Sequence, residues 1–210
     1  MQLDQRSPKP LEGYIIWGMG GHSKVVADTI KEIGWTEVKF INDEIFNIQG
    51  KDWLLSEFPP TKWVAFVAIG DNKARVSKVD LLGKLGYYIP NVVHPTASIS
   101  KTVFLGGHNI FIGPKVAICA DAVISDGVIL NTGCTVDHDC YIGRWAHIAP
   151  GVHLCGKVNV GLFTLVGVGA SVIPGIKIGS SCIVGAGAAV VKDIPTGKTA
   201  LGVPARIVEE

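Results

Sequence analysis

From Ile112 to Val190 an aliphatic side chain returns at every sixth position: Ile112, Ile118, Ile124, Leu130, Val136, Ile142, Ile148, Leu154, Val160, Val166, Val172, Ile178, Val184 and Val190. Four residues after each of these stands a small or branched residue, as at Val116, Ala122, Val128, Cys134, Cys140, Thr164, Ala170, Cys182 and Ile194. The position directly after the aliphatic one favours turn formers, with Gly113, Asn131, Asp137, Gly143, Gly161, Gly167, Gly179 and Gly185, and is expected to turn the chain. A period of six matches neither a helix face nor a long strand, which repeat near 3.6 and 2. It predicts short strands separated by tight turns, three per coil, each sending one aliphatic side chain inward from a face of a triangular prism: a parallel β-helix. Val93, Ile99 and Leu105 keep the same step, after which one extra residue around Gly106-Gly107-His108 reads as a β-bulge. Pro195 ends the regular repeat, and Leu201 to Arg206 form a short tail.

The chain ahead of the repeat has a different rhythm. Tyr14-Ile15-Ile16-Trp17 reads as a buried strand running into Gly18-Met19-Gly20-Gly21-His22, then a helix through Val25, Val26, Ile30 and Ile33 that Gly34 ends. A strand from Val38 to Ile41 stops at Asn42-Asp43. Another, Trp63 to Ile69, stops at Gly70-Asp71-Asn72 before a helix carrying Val76, Val79, Leu82 and Leu85. The pattern predicts a small Rossmann-like βαβαβ domain over residues 13–92, followed by the β-helix with its tail over 93–210. The strand ends at Gly20, Asn42 and Gly70 then share one edge of a parallel sheet, where open α/β folds bind ligands. A glycine turn opening a helix can present N–H groups to a diphosphate, and Asp43 can accept from a ribose or base. The same glycines also suit a tight strand-to-helix turn with no ligand. Ser23 stands where the dinucleotide fingerprint has its third glycine, and the unit is too short for a second mononucleotide half. A mononucleotide, or a nucleoside diphosphate with a group attached, fits better than NAD.

A formal net charge of +1 offers no basic field for nucleic acid, and the five tryptophans form no stacking series for bases. No run approaches the roughly 18 apolar residues of a membrane span, and the polar start Met1 to Gln5 lacks a secretion signal, so a cytoplasmic protein is expected. Of five cysteines, Cys134, Cys140 and Cys182 hold the inward register and Cys119 and Cys155 the turn side. They read as reduced thiols, with neither disulfide nor metal expected.

The polar outlier of the repeat is Asp137-His138-Asp139, followed by His147 and His153. Histidine accepts a proton near neutrality, and an adjacent carboxylate orients it and raises its basicity. His138 with Asp139 is therefore a candidate general base and helper; a solvated wall residue is the alternative. His147 and His153 share one hexad register, which puts them at equivalent turns on neighbouring faces. A metal reading would gather His138, His147 and His153 from two chains, as carbonic anhydrases of β-helical architecture do. His22 either points at a ligand or caps its helix, and His94 and His108 read as structural.

With the repeat, the glycine turn, Ala68-Ile69-Gly70-Asp71-Asn72, Asn131-Thr132 ahead of Asp137-His138-Asp139, and Gly202-Val203-Pro204-Ala205 all in order, the chain resembles a known family. This is the hexapeptide-repeat acetyltransferases of nucleotide-linked amino sugars, including bacterial UDP-4-amino-sugar and perosamine N-acetyltransferases and sialic acid O-acetyltransferases. The resemblance implies a left-handed β-helix, a homotrimer with active sites between adjacent prisms, and acetyl-CoA as donor without a metal. It implies that His138 is the general base, Asp139 its acidic neighbour and His147 a histidine against the thioester. Gly156, Val168 and Ala186 become contacts to the donor. Gly20, Gly21, His22, Asn42, Asp43 and Gly70 become the nucleotide-sugar pocket; relatives often carry an acid where Asn42 stands. Acetylation of a 4-amino group is the activity implied. O-acetylation of a sialic-acid-like sugar, and a carbonic-anhydrase-like or non-enzymatic module, are the rivals.

Overall fold

A computed structural model describes residues 12–208; the polar segment on which the expectation about a leader rests lies outside them. Strands β1 (Gly13–Trp17), β2 (Val38–Ile41) and β3 (Trp63–Val67) form a parallel sheet in the order β2-β1-β3. Both β1 and β3 are buried along their whole length, which explains their uninterrupted apolar sequence. Helix α1 (Gly21–Glu32) follows β1, α2 (Asp43–Glu57) follows β2, and α3 (Asn72–Lys84) follows β3. Within α2, Gly50 sits at φ 81° and breaks the helix, and Leu54 is its one buried residue. No helix among the described residues is long and apolar enough to cross a membrane.

From Val92 onward the chain winds as a triangular prism of parallel two-residue strands. The first face carries Val92–Val93, Phe111–Ile112, Ile129–Leu130, His147–Ile148, Leu165–Val166 and Ile183–Val184. The second runs from Ser98–Ile99 through Thr135–Val136 and His153–Leu154 to Ala189–Val190. The third runs from Phe104–Leu105 through Tyr141–Ile142 to Lys177–Ile178. Pairing such as Ile129↔His147 and Thr135↔His153 sets the coil at eighteen residues, three hexads. The aliphatic register from Ile112 to Val190 is buried throughout, together with the small residues four positions on. At the C-terminal end, Arg206–Val208 folds back antiparallel on Thr199–Leu201.

Two expectations need correction. The chain does not turn at the residue after the aliphatic. The left-handed conformation falls two residues later, every sixth residue from Asn109 to Gly187, and is carried by Asn109, Lys115, Asp121, Asp139, Trp145, Lys157, Phe163 and Ser181 as well as by glycines. Gly143, Gly161, Gly167 and Gly179 are needed for another reason: a Cβ there would lie 2.4–2.7 Å from backbone of the next coil. Gly161→Ala is accordingly expected to cost about 1–3 kcal/mol by overpacking, seen as a lower unfolding midpoint. Gly133→Asn, at a left-handed corner with open space, is expected to leave that midpoint nearly unchanged.

The extra residue, in turn, bulges no ladder. It lies in the corner between Phe104–Leu105 and Phe111–Ile112, and the pairs Leu105↔Ile124 and Val92↔Phe111 on either side are intact. Asn91 clamps that corner, accepting from Ile110 N at 3.0 Å and donating to Gly106 O at 2.8 Å. The widened corner lets Asn109 reach β3, where its amide pairs with both the N–H and the carbonyl of Val67.

The α/β unit covers the start of the first face. Outward-facing Val92, Phe111 and Ile129 are buried against Tyr14, Ile16, Val26 and Ile30. A line of corner residues eighteen apart completes the junction. Asn109 bonds β3, Gly127 O and Trp145 O accept from Arg75, and Phe163 O accepts from Asn72.

Candidate active site

The glycine turn opens onto the C-terminal edge of the sheet. Gly18 has no freedom to change: φ is +135°, and a Cβ would lie 2.7 Å from Ala68 O. Gly20, Gly21 and Gly70 are different. None has a positive φ, and a Cβ on any of them would meet nothing within 4 Å. The protein's own packing does not demand glycine at these three positions, and the room they leave lies along the strand ends. Gly20 starts α1 without a side-chain cap, so the first N–H groups of the helix are available to an anion. Ser23 Oγ donates back to Gly20 O at 2.6 Å and fixes the turn.

Beside it, Asn42 caps α2, its Oδ1 accepting from Ile45 N at 2.8 Å, so that oxygen is engaged by the helix. Asp43 Oδ1 accepts from Trp17 Nε1 at 2.9 Å and from Lys78 Nζ at 2.8 Å. The Lys78 bond holds its carboxyl below the usual range, against the pull of burial and with help from Trp17.

His22 does not cap its helix. Its ring is edge-on to Phe111 at 5.1 Å and 6.5 Å from the His147 ring, and its buried Nε2 has no partner among the described residues. Burial, then His147, then Arg75 push its pKa down to about 3. His147 is a strand residue, not a turn residue, facing out from the first face into the domain junction. Its Nε2 lies 3.3 Å from Asn131 Nδ2. Burial and the Arg75 charge hold its pKa at about 4, against an opposing bond to the Gly70 carbonyl.

Both folded values lie below the ordinary 6.5. As pH falls below 6.5, the unfolded chain takes up protons that the folded chain refuses, so stability drops by about 1.4 kcal/mol per pH unit for each histidine. Denaturant unfolding at pH 7.5 and 5.5 is expected to show this loss, and a His22→Asn, His147→Gln double variant to flatten it. An unchanged slope in the double variant would assign the effect elsewhere.

His138 lies at the corner between the second and third faces. Its Nδ1 is 2.8 Å from Asp139 Oδ2, with the ring about half exposed. Asp139 is the left-handed residue of that corner, at φ 58°, and the turn swings its carboxylate back to the preceding imidazole. Asp137 Oδ1 accepts from His138 N at 2.7 Å. Eighteen residues on, Gly156 sits directly against the ring: a Cβ there would be 2.5 Å from His138 Nε2. Nδ1 is therefore held, and Nε2 faces a glycine.

One chain does not bring all the candidate residues together. Gly20, Gly21, His22, Asn42, Asp43 and Gly70 follow the C-terminal ends of the sheet strands, and His22 there adjoins Phe111 and His147 of the first face. His138, Asp139 and Gly156 stand on the corner opposite that face, since a triangular section sets each face against the corner formed by the other two. Val168 and Ala186 are exposed one coil apart on the corner between the first and second faces. His153 faces out from the second face, with Nδ1 3.0 Å from Thr135 Oγ1. Among the described residues, no three His, Cys, Asp or Glu side chains converge as a metal site. His94 pairs with Glu32 at 3.1 Å and His108 with Asp126 at 3.5 Å, and all five cysteines are free. Arg75 and Asn131 were not anticipated as members of the site.

Residues 14–82 match the PglD N-terminal domain family. PerB from Caulobacter crescentus, solved with CoA and GDP-perosamine, is 40% identical, with 95% of this chain and 98% of that chain covered and a TM-score of 0.87. The acetyltransferase domain of PglB from Neisseria gonorrhoeae FA1090 is 34% identical over 93% of this chain and 98% of that chain, with a TM-score of 0.86. WeeI from Acinetobacter baumannii AYE is 25% identical, with 94% and 100% covered and a TM-score of 0.84. With this identity over both the glycine-turn unit and the prism, the chain belongs to the PglD-type family of hexapeptide-repeat sugar acetyltransferases.

Proposed function

We propose that the protein transfers the acetyl group of acetyl-CoA to the 4-amino group of a nucleotide-linked deoxy sugar used in bacterial surface glycans. The observation that carries this reading is the His138–Asp139 pair, with Nδ1 held and Nε2 free beside Gly156. In support, the PglB domain has been solved with acetyl coenzyme A, and PerB with CoA and GDP-perosamine. The PerB structures also include alanine and asparagine replacements of one histidine.

In this reading residues 13–92 hold the acceptor and 93–210 carry the transfer. Gly20, Gly21, His22, Asn42, Asp43 and Gly70 line the nucleotide-sugar pocket, and the open N–H groups of α1 take the diphosphate. The neutral amine attacks the thioester carbonyl, so that a C–N bond forms, the C–S bond breaks and the CoA thiolate departs. His138 Nε2 takes the amine proton and returns it to the thiolate, while Asp139 stabilises the imidazolium. The Gly156 amide is the candidate donor to the tetrahedral oxyanion. His147, Val168 and Ala186 contact CoA.

His138 and the glycine edge lie on opposite sides of one prism, so each site takes residues from two chains of a homotrimer, and CoA lies between adjacent prisms. A site built between prisms also encloses two substrates that a single flat wall could not.

Release of free CoA thiol from acetyl-CoA, measured against UDP-, dTDP- and GDP-linked 4-amino-6-deoxy sugars and a sialic acid, tests the proposal. Turnover with one amino sugar is expected. Activity on the sialic acid alone would replace it with O-acetylation, and silence throughout would sink the nucleotide-sugar assignment.

A further inference from the structure

Arg75 is fully buried, and its five N–H groups are all used, none of them on a carboxylate. Nε donates to Gly127 O at 3.0 Å, and Nη2 to Trp145 O at 2.8 Å and Asn72 Oδ1 at 2.9 Å. Nη1 donates to Ile69 O at 2.9 Å and Gly70 O at 3.2 Å. A buried charge with no carboxylate bonded to it, and the Asp71 charge acting only from a distance, is a costly way to join two units that apolar contact already holds together. What distinguishes these acceptors is where they lie: two belong to successive corners of the prism, and two to the end of β3 where the ligand edge begins.

Two of these acceptors flank His147: Trp145 O belongs to the corner that leads into the His147–Ile148 strand, and Gly70 O belongs to the turn on the other side of the junction. Asn131 settles which ring nitrogen carries the proton. Its Oδ1 accepts from Thr132 N at 2.9 Å, so Nδ2 is the atom turned toward His147 Nε2 at 3.3 Å, and it can only donate. Nε2 is therefore the unprotonated nitrogen, and the ring proton is on Nδ1.

We propose that Arg75 is a positioning residue of the acetyl transfer: by fixing the Trp145 corner and the Gly70 turn it holds His147 against Asn131 in the Nδ1–H tautomer and sets the distance between the acceptor edge and the prism. The inference rests on the acetyl-transfer reading above. Burial of His147, with the Arg75 charge second, also disfavours imidazolium there, and a neutral ring beside the acceptor edge adds no positive charge to oppose the one that develops on the attacking nitrogen.

The test uses Arg75→Gln and Arg75→Lys in the full chain. For the acceptor identified in the thiol-release assay, Arg75→Gln is expected to raise KM and lower kcat about tenfold each, because a small displacement of positioning groups is amplified in rate. The acetyl-CoA KM is expected to rise by less than the acceptor KM, because His147 is one of several contacts to CoA, and Arg75→Lys, which keeps the charge but not the fork, to recover part of the loss. The independent readout is the ¹⁵N spectrum of His147, which should report one tautomer in the parent protein and a mixture in Arg75→Gln. Should Arg75→Gln not fold, Arg75→Lys carries both measurements. Unchanged KM values and a single tautomer, even alongside a lower unfolding midpoint, would overturn the proposal and leave Arg75 as architecture. If the parent protein is silent on every acceptor, the proposed function fails, and the tautomer measurement alone decides for or against Arg75.

Discussion

His138→Ala is expected to reduce kcat about 100-fold, the scale of a lost general base, while the assembled protein keeps its mass and unfolding midpoint. The side chain is about half exposed at a prism corner and contributes nothing to the aliphatic core, so its removal should register in chemistry and not in folding. Asp139→Asn keeps the corner, since asparagine also tolerates the left-handed conformation that Asp139 holds at φ 58°. It removes the charge that stabilises imidazolium and is expected to cost less, about tenfold. Steady-state rates with saturating acceptor and acetyl-CoA check both. Near-parent turnover in His138→Ala would take that residue out of the mechanism, because no second free imidazole shares its corner.

Gly156→Ala is expected to cost nearly as much as the loss of His138 itself. The added methyl would sit 2.5 Å from Nε2 and 2.6 Å from Cε1, inside any permissible contact, and the ring would have to swing away. The backbone at Gly156 is not in the left-handed region, so alanine introduces no main-chain strain and the prism should persist. The exposed imidazole gives way more easily than the coil. The expected result is a drop in kcat of about 30- to 100-fold, as displaced catalytic geometry produces, with an unfolding midpoint close to the parent. Retention of activity would mean that the ring works from a different position, and the proton route through Nε2 against Gly156 would fall.

The prism was legible because each hexad repeats one physical requirement, an aliphatic side chain in a dry interior, and Ile112 to Val190 meet it without interruption. The corners were less legible. The left-handed position is filled by Lys115, Trp145, Lys157 and Phe163 as readily as by glycine, since stacked coils impose that conformation from outside. The glycines that stand out, such as Gly161 and Gly179, answer instead to the neighbouring coil. In the site, the His138–Asp139 contact could be anticipated because its partners are adjacent in sequence. Arg75 could not: it sits one residue before Val76 on a helix whose Lys73, Asp80 and Lys84 are exposed, and the two acceptors that tie it to the prism are main-chain carbonyls 52 and 70 residues away. A backbone oxygen leaves no trace in residue identity. His147 illustrates the converse: the register it shares with His153 was clear, while its place on a strand and not a turn, and its enclosure under the α/β unit, depended on where the corners fall and how the two units dock.

The eighteen-residue coil gives the chain downstream of the junction a reading frame. Removing or adding eighteen residues beyond Phe163 would shorten or lengthen the prism and return every later side chain to its own face. Removing six would preserve the aliphatic interior and still rotate everything after it by a third of a turn, carrying Val168 and Ala186 to different corners. Length variation that spares packing is thus not free to spare the site, and change here is admissible in whole coils.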